Sequence, residues 1–208
     1  MIHIKTEVEV SKDERIAGPN YLRVRESKFS VTKPKVDGVI AETAREFVIS
    51  RSAVAGIVHC PSESKILMLR QFRYPVYHET KDAHLSWIYE TVAGLIDDGD
   101  TAMDTFVREV KEETGIEVLE KDSLMHTSYY VSPGFVNEKH FIFSADVLEC
   151  KEPDMDAGLD SEGEAIAAQW LTYKEINDLI KGVTDDQGNL HKIVDGKTLM
   201  ALMYLGFD

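Results

Sequence analysis

Positive charge is in short supply in this chain. Its 208 residues include 23 lysines and arginines against 37 aspartates and glutamates, a formal net charge of −14. A surplus of that sign repels polyanions at long range, which argues against sequence-nonspecific nucleic-acid binding. A small anionic substrate stays open, because local bound cations can hold it against the protein's overall field. Long apolar runs are missing too, and nothing approaches the roughly 18 to 20 residues that a membrane-spanning helix needs. Cysteine is scarce: Cys60 and Cys150 fall in no CxxC or Cys/His spacing, so a pair of buried cytosolic thiols is expected. The stretch Met1-Ile2-His3-Ile4-Lys5-Thr6-Glu7 carries charge where a signal peptide has its apolar segment, which predicts a cytoplasmic protein. Internal repeats and low-complexity tracts are absent.

What is present fits a globular protein, with 43% apolar and 29% charged residues and length for one well-filled domain with appendages. The first forty or so residues alternate polar and apolar positions, as in Ile2–Val10 and Tyr21–Arg25, and read as an N-terminal β meander. A division follows: 1–45 as a β-strand region, 46–208 as the main domain. More continuous apolar runs, Ala53–His59 and Lys65–Arg73, flank the turn residues Pro61-Ser62-Glu63-Ser64 and predict a core hairpin. From Asp100 the period changes: Ala102, Phe106 and Val110 recur at fours, with a capping box at Thr101/Asp104 and a stop at Gly115. Strands are expected again at Leu124–Tyr130, Lys139–Val147 and Ala165–Leu171, and helices at Tyr173–Lys181 and Gly196–Leu205. Strands with few interleaved helices predict an α/β or α+β sandwich around a mixed sheet.

On the central helix Glu109, Glu112 and Glu113 fall at i, i+3 and i+4, which places them on one arc beside the apolar face. Three carboxylates there repel one another unless solvent, basic partners or a hard divalent cation such as Mg²⁺ relieves them. Read by itself, the helix fits better a solvated acidic face paired weakly with Arg108 and Lys111.

The flanks extend the pattern. The string from Gly94 to Ile116 resembles the Nudix box: Gly, five residues, Glu, seven residues, Arg-Glu, an aliphatic, any residue, Glu-Glu, any residue, Gly, an aliphatic. Each fixed position matches except one, where Asp100 replaces the first Glu. Flanking segments resemble the ADP-ribose and nucleoside diphosphate-sugar branch of that family. They are Gln71-Phe72-Arg73-Tyr74-Pro75, Tyr89-Glu90-Thr91-Val92-Ala93-Gly94, and Ser132-Pro133-Gly134-Phe135-Val136-Asn137-Glu138, whose Pro133 lies 17 residues past Ile116.

The resemblance implies a Nudix-type α/β/α sandwich with an N-terminal antiparallel β extension serving a homodimer. It implies metal-dependent cleavage of a diphosphate, with ADP-ribose giving AMP and ribose 5-phosphate. GDP-mannose is the chief alternative substrate, and a non-catalytic nucleotide-sugar sensor is an alternative of another class. The metal, Mg²⁺ or alternatively Mn²⁺, falls by position to Glu109, Glu112 and Glu113 with the Ala93 carbonyl, and Arg108 takes an orienting role. The acidic loop Gly158–Ala165 resembles the branch's base-carrying loop, with Glu162 the first candidate and Glu164 the second. Substrate contact falls to Arg73 and Arg51 through their planar forks, and to Pro133, Gly134 and Phe135. Glu90 either accepts from sugar hydroxyls or pairs with an arginine.

Overall fold

The computed structural model of the chain describes residues 8–17, 23–31, 43–154 and 166–207. It divides into two compact units, Met1–Arg51 with Tyr130–Lys139, and Ser52–Tyr129 with His140–Asp208.

The first unit carries an antiparallel sheet of β1 (Val8–Ala17), β2 (Arg23–Val31) and β3 (Thr43–Ile49), in that order. The β1–β2 register shifts between Val10 and Lys12 and again between Arg15 and Ala17, as bulges do. The segment 130–139 runs along β3. Val48 bridges Val136 in parallel, the Val48 N–H donates to the Phe135 carbonyl at 2.7 Å, and the Ser50 N–H donates to Asn137 Oδ1 at 2.8 Å.

The second unit is built on a seven-stranded mixed sheet. Its central strands are β4 (Ala53–Cys60) and β5 (Lys65–Phe72), which pair antiparallel from Val58↔Leu67 to Cys60↔Lys65. This is the expected core hairpin, and Ser64 closes its turn in the left-handed region at φ 53°. Next come α1 (Tyr74–Thr80), β6 (Trp87–Glu90), β7 (Val92–Leu95) and α2 (Ala102–Thr114). The chain continues with β8 (Ser123–Tyr130), β9 (Lys139–Asp146), β10 (Ile166–Thr172) and α3 (Tyr173–Lys181). A small hairpin of β11 (Val183–Thr184) and β12 (Leu190–His191) precedes α4 (Gly196–Tyr204). The sheet order is β10-β5-β4-β9-β8, with β6 on β5 and β7 on β4, and β4 runs parallel to β9.

Both faces of this sheet are covered, which explains why β4 and β5 read as continuous apolar runs rather than alternating ones. Val54, Val58, Leu67 and Leu69 face one cluster with Phe106 and Val110 of α2, where Phe106 stacks on Phe143 at 5.0 Å. Ala55, Ile57, Ile66 and Met68 face the other, with Ile176 and Leu179 of α3 and Leu202 of α4. The result is the expected α/β/α sandwich. Gly56 permits α2 to seat, because a Cβ there would overlap the Phe106 ring and come within 2.9 Å of Phe143 Cβ.

Helix α2 forms as its sequence predicts. Thr101 Oγ1 accepts the Asp104 N–H, Asp104 Oδ2 accepts the Thr101 N–H, and Gly115 ends the helix at φ 71°. Five elements are additions to the sequence reading. Helix α1 was not among the expected elements; Pro75 in its first turn is its sequence signal, but the helix buries nothing and so shows no apolar period. Strands β6 and β7 are four residues each, and the β11–β12 hairpin has strands of two.

The expectation of two buried thiols is half right. Cys60 is fully buried, whereas Cys150 is partly exposed, and one ligand atom of each lies within 4.8 Å of the Glu63 carboxylate and of the other. Burial, then hydrogen bonding to Cys60 and Glu63, pushes the Cys150 thiol up to about 12, so it is not a thiolate nucleophile at neutral pH.

Candidate active site

The acidic helix meets β7 at the Ala93–Gly94 backbone. Strand β7 is fixed there by its pairing with β4, Ala93 opposite Ala55 and Gly94 opposite Val54. Glu113 Oε2 accepts the Ala93 N–H at 3.2 Å. Glu109 lies directly over Gly94, so a Cβ at that position would overlap its carboxyl group. The box glycine thus has a physical reason: it leaves room for a helix carboxylate above the strand. Phe106 and Val110, buried one turn apart on the same helix, hold this face against the sheet.

Arg108 gathers the acids beside this junction. Its Nη1 lies 3.0 Å from Glu109 Oε1 and 2.7 Å from Glu112 Oε2, and its Nη2 lies 3.8 Å from Asp97 Oδ2. Burial works to lower the Arg108 pKa, but attraction from Glu109 and Glu112 outweighs it and the net shift is upward. The acid that reaches Arg108 from the loop is Asp97, a residue that sequence reasoning passed over. Asp100, the departure from the box, donates its N–H to the Asp97 carbonyl at 3.1 Å and so shapes the turn that presents Asp97.

Glu109 and Glu113 against one stretch of backbone, with Glu112 beside them on Arg108, bring hard oxygen donors and excess negative charge together. That donor chemistry fits Mg²⁺ or Mn²⁺. Glu109 is more enclosed than Glu112, with a side chain 14% exposed against 57%.

A second polar centre lies at the ends of β5 and β6. Glu90, 2% exposed, receives the Arg73 fork in bidentate fashion, Nε on Oε1 at 2.6 Å and Nη2 on Oε2 at 2.8 Å. Lys197 of α4 closes on the same Oε2 and also lies 3.0 Å from Asp195, the N-cap of that helix. Burial works to raise the Glu90 pKa, but the two cations outweigh it and hold the carboxyl below its ordinary value. Glu90 makes the arginine pair that was one of its two readings. Asp195 was legible as an N-cap, but its neighbour Lys197 is 107 positions from Glu90 and no local pattern connects them.

The remaining predicted residues belong to the first unit or lie outside the described residues. Arg51 lies two residues past the end of β3, in the first unit, and Pro133, Gly134 and Phe135 form the turn in which the Phe135 N–H donates to the Ser132 carbonyl at 3.1 Å, in the same unit. Glu162 and Glu164 lie outside the described residues.

The family model described as NUDIX domain matches residues 50–192. The chain is 31% identical over 178 residues to the methanol dehydrogenase activator of Bacillus methanolicus, covering 84% of this chain and 85% of that one. It is 30% identical to an ADP-ribose pyrophosphatase of Bacillus subtilis, covering 77% and 75%. A GDP-mannose pyrophosphatase of Enterobacter sp. (strain 638) is 27% identical, covering 95% and 94%. A solved structure described as an ADP compounds hydrolase superposes with a TM-score of 0.67 at 16% identity, covering 99% of this chain and 95% of that one, and so shares the fold. With the family match spanning residues 50–192 and the box glycine, arginine and glutamates assembled where β7 meets α2, the chain belongs to the NUDIX domain family.

Proposed function

We propose that the chain hydrolyses the diphosphate bond of nucleoside diphosphate-sugars, and that ADP-ribose, cut to AMP and ribose 5-phosphate, is its preferred substrate. The observation that carries this reading is the convergence of Glu109 and Glu113 on the Ala93–Gly94 backbone. The two kinds of sugar-nucleotide pyrophosphatase that the chain resembles support the substrate class.

Ala93, Glu109, Glu112 and Glu113 would hold Mg²⁺ or Mn²⁺. A bound cation supplies charge neutralisation on the diphosphate and a more acidic attacking water. The chain's own residues do the rest. Arg108 orients Glu109 and Glu112 and offsets part of their repulsion. Glu162, with Glu164 as second candidate, takes the proton as the water oxygen attacks phosphorus and the bridging P–O bond breaks. Glu90 fixes the plane of the Arg73 guanidinium, so that Arg73 meets phosphate or ribose in one orientation. Arg51, Pro133, Gly134 and Phe135 complete the assignment to substrate contact. We further assign residues 1–45 to a homodimer interface, which sizing with light scattering would test, and a cytoplasmic setting.

The GDP-mannose pyrophosphatase that aligns along 95% of the chain favours a second reading, the same chemistry on another sugar nucleotide. Product analysis after incubation with ADP-ribose and with GDP-mannose separates the two. AMP with ribose 5-phosphate at the higher kcat/KM supports the first reading, and faster release of GMP moves the substrate. Binding without cleavage of either compound would mean a sensor.

A further inference from the structure

His84, Asp185 and His191 come from distant parts of the second unit, yet one ligand atom from each lies within 4.8 Å of the others. Each is set by its own local structure. Asp82 Oδ1 accepts the N–H groups of His84 at 2.8 Å and Leu85 at 3.2 Å, which shapes the loop ahead of β6. Asp185 organises the turn between β11 and β12. Its Oδ1 accepts the N–H groups of Gln187 at 2.9 Å and Asn189 at 2.8 Å, and its Oδ2 accepts from Asn189 Nδ2 and His191 Nε2, both at 3.1 Å. The Asn189 contacts, with those of His191 and Gln187, hold the Asp185 carboxyl well below the usual carboxylate range. The two imidazole rings meet edge-on with centroids 4.8 Å apart.

Among the described residues, one atom in this cluster lacks a partner. His84 Nε2 is buried and makes no hydrogen bond among the described residues, which leaves the desolvation of a polar nitrogen uncompensated. Two imidazoles and a carboxylate are a donor set of the zinc class, unlike the all-oxygen set on α2. In a tetrahedral zinc site neighbouring ligand atoms lie about 3.4 Å apart, so ligation here needs only a small contraction of side chains.

We propose that His84, Asp185 and His191 form a binding site for a zinc-class divalent ion, made of residues other than those assigned to the diphosphate metal. On binding, the ion replaces the proton that His191 Nε2 shares with Asp185. The site joins two segments that lead to Glu90. The carbonyl of Ser86, in the loop that carries His84, accepts the Arg73 N–H at 2.8 Å. The hairpin that carries Asp185 and His191 runs through buried Ile193 to Asp195 and Lys197. A bound ion thus braces the segments from which Arg73 and Lys197 converge on one carboxylate.

The test is equilibrium dialysis of the full chain against chelator-buffered Zn²⁺ in excess Mg²⁺, which occupies oxygen-only sites. Zinc is counted per chain for the wild type, His84→Gln and His191→Gln, and each protein is melted with and without zinc. The wild type should retain one zinc more than either variant and melt higher with zinc, while each variant loses affinity by more than the ~10–100-fold that removing a mere supporting partner costs. Zinc held by Cys60, Glu63 and Cys150 would persist in both variants, so the difference reads the histidine site alone. The two variants lie on separate segments, so misfolding of one leaves the other informative. Equal zinc content in all three proteins, or no zinc retained by the wild type, overturns the proposal.

Discussion

Arg73 holds Glu90 with both arms of its guanidinium fork, at 2.6 and 2.8 Å, in a setting where Glu90 is 2% exposed. A buried carboxylate is tolerated there because Arg73 and Lys197 together satisfy it, and its removal leaves two cations close together without their anion.

Glu90→Gln should therefore destabilise the fold by about 3–5 kcal/mol, read as a lower urea midpoint. The dependence on pH has a definite sign. Since the folded-state pKa of Glu90 is depressed, its stabilisation is present above the ordinary value of 4.5 and is lost as pH falls through the lower folded value. The wild type should lose its advantage over the variant on acidification below 4.5, and a constant gap across that range would contradict the assignment.

Gly94→Ala tests why the box begins with glycine. The added methyl overlaps the Glu109 carboxyl, whose side chain can swing away while the strand pairing of β7 stays intact. The expected outcome is a folded protein with Mg²⁺ affinity and kcat/KM reduced by about 10–100-fold. Unchanged Mg²⁺ titration of activity would separate Glu109 from the metal.

Gly56→Ala acts from beneath the same helix. The methyl would press on Phe106 and on Phe143 Cβ at 2.9 Å, and overpacking of this kind costs about 1–3 kcal/mol. A fall in the denaturation midpoint at constant m-value is expected. A stabilised variant would mean that α2 is seated less tightly than the structure shows.

Much of this arrangement was legible because it is local. The capping box of Thr101 and Asp104, the period of Ala102, Phe106 and Val110, and Gly115 delimit α2 from neighbours within a few positions. Helix α3 occupies the predicted Tyr173–Lys181, and the strands from β8 to β10 fall within a residue of expectation, for the same reason. What stayed hidden depends on contacts between distant segments. Lys197 on Glu90 and His84 beside His191 carry no periodic signal, and α1 buries no residue that would have produced one. The approach of Asp97 to Arg108 also escaped notice, since the resemblance drew attention to Asp100 three positions on.

The proton acceptor rests on sequence resemblance, and substitution can test it. Glu162→Gln should lower kcat by about 10²–10⁴-fold while Mg²⁺ binding persists, with Glu164→Gln much milder. The reverse order would move the base to Glu164, and near-normal turnover in both would remove it from this loop.

The most direct measurement is turnover of ADP-ribose with Mg²⁺, with EDTA, and with Mg²⁺ in Glu113→Gln, the helix carboxylate that accepts the Ala93 N–H. The account predicts release of AMP and ribose 5-phosphate by the wild type in Mg²⁺, loss of that activity in EDTA, and a large fall in the variant. Cleavage that survives both EDTA and Glu113→Gln would contradict the assignment of chemistry to the β7–α2 junction.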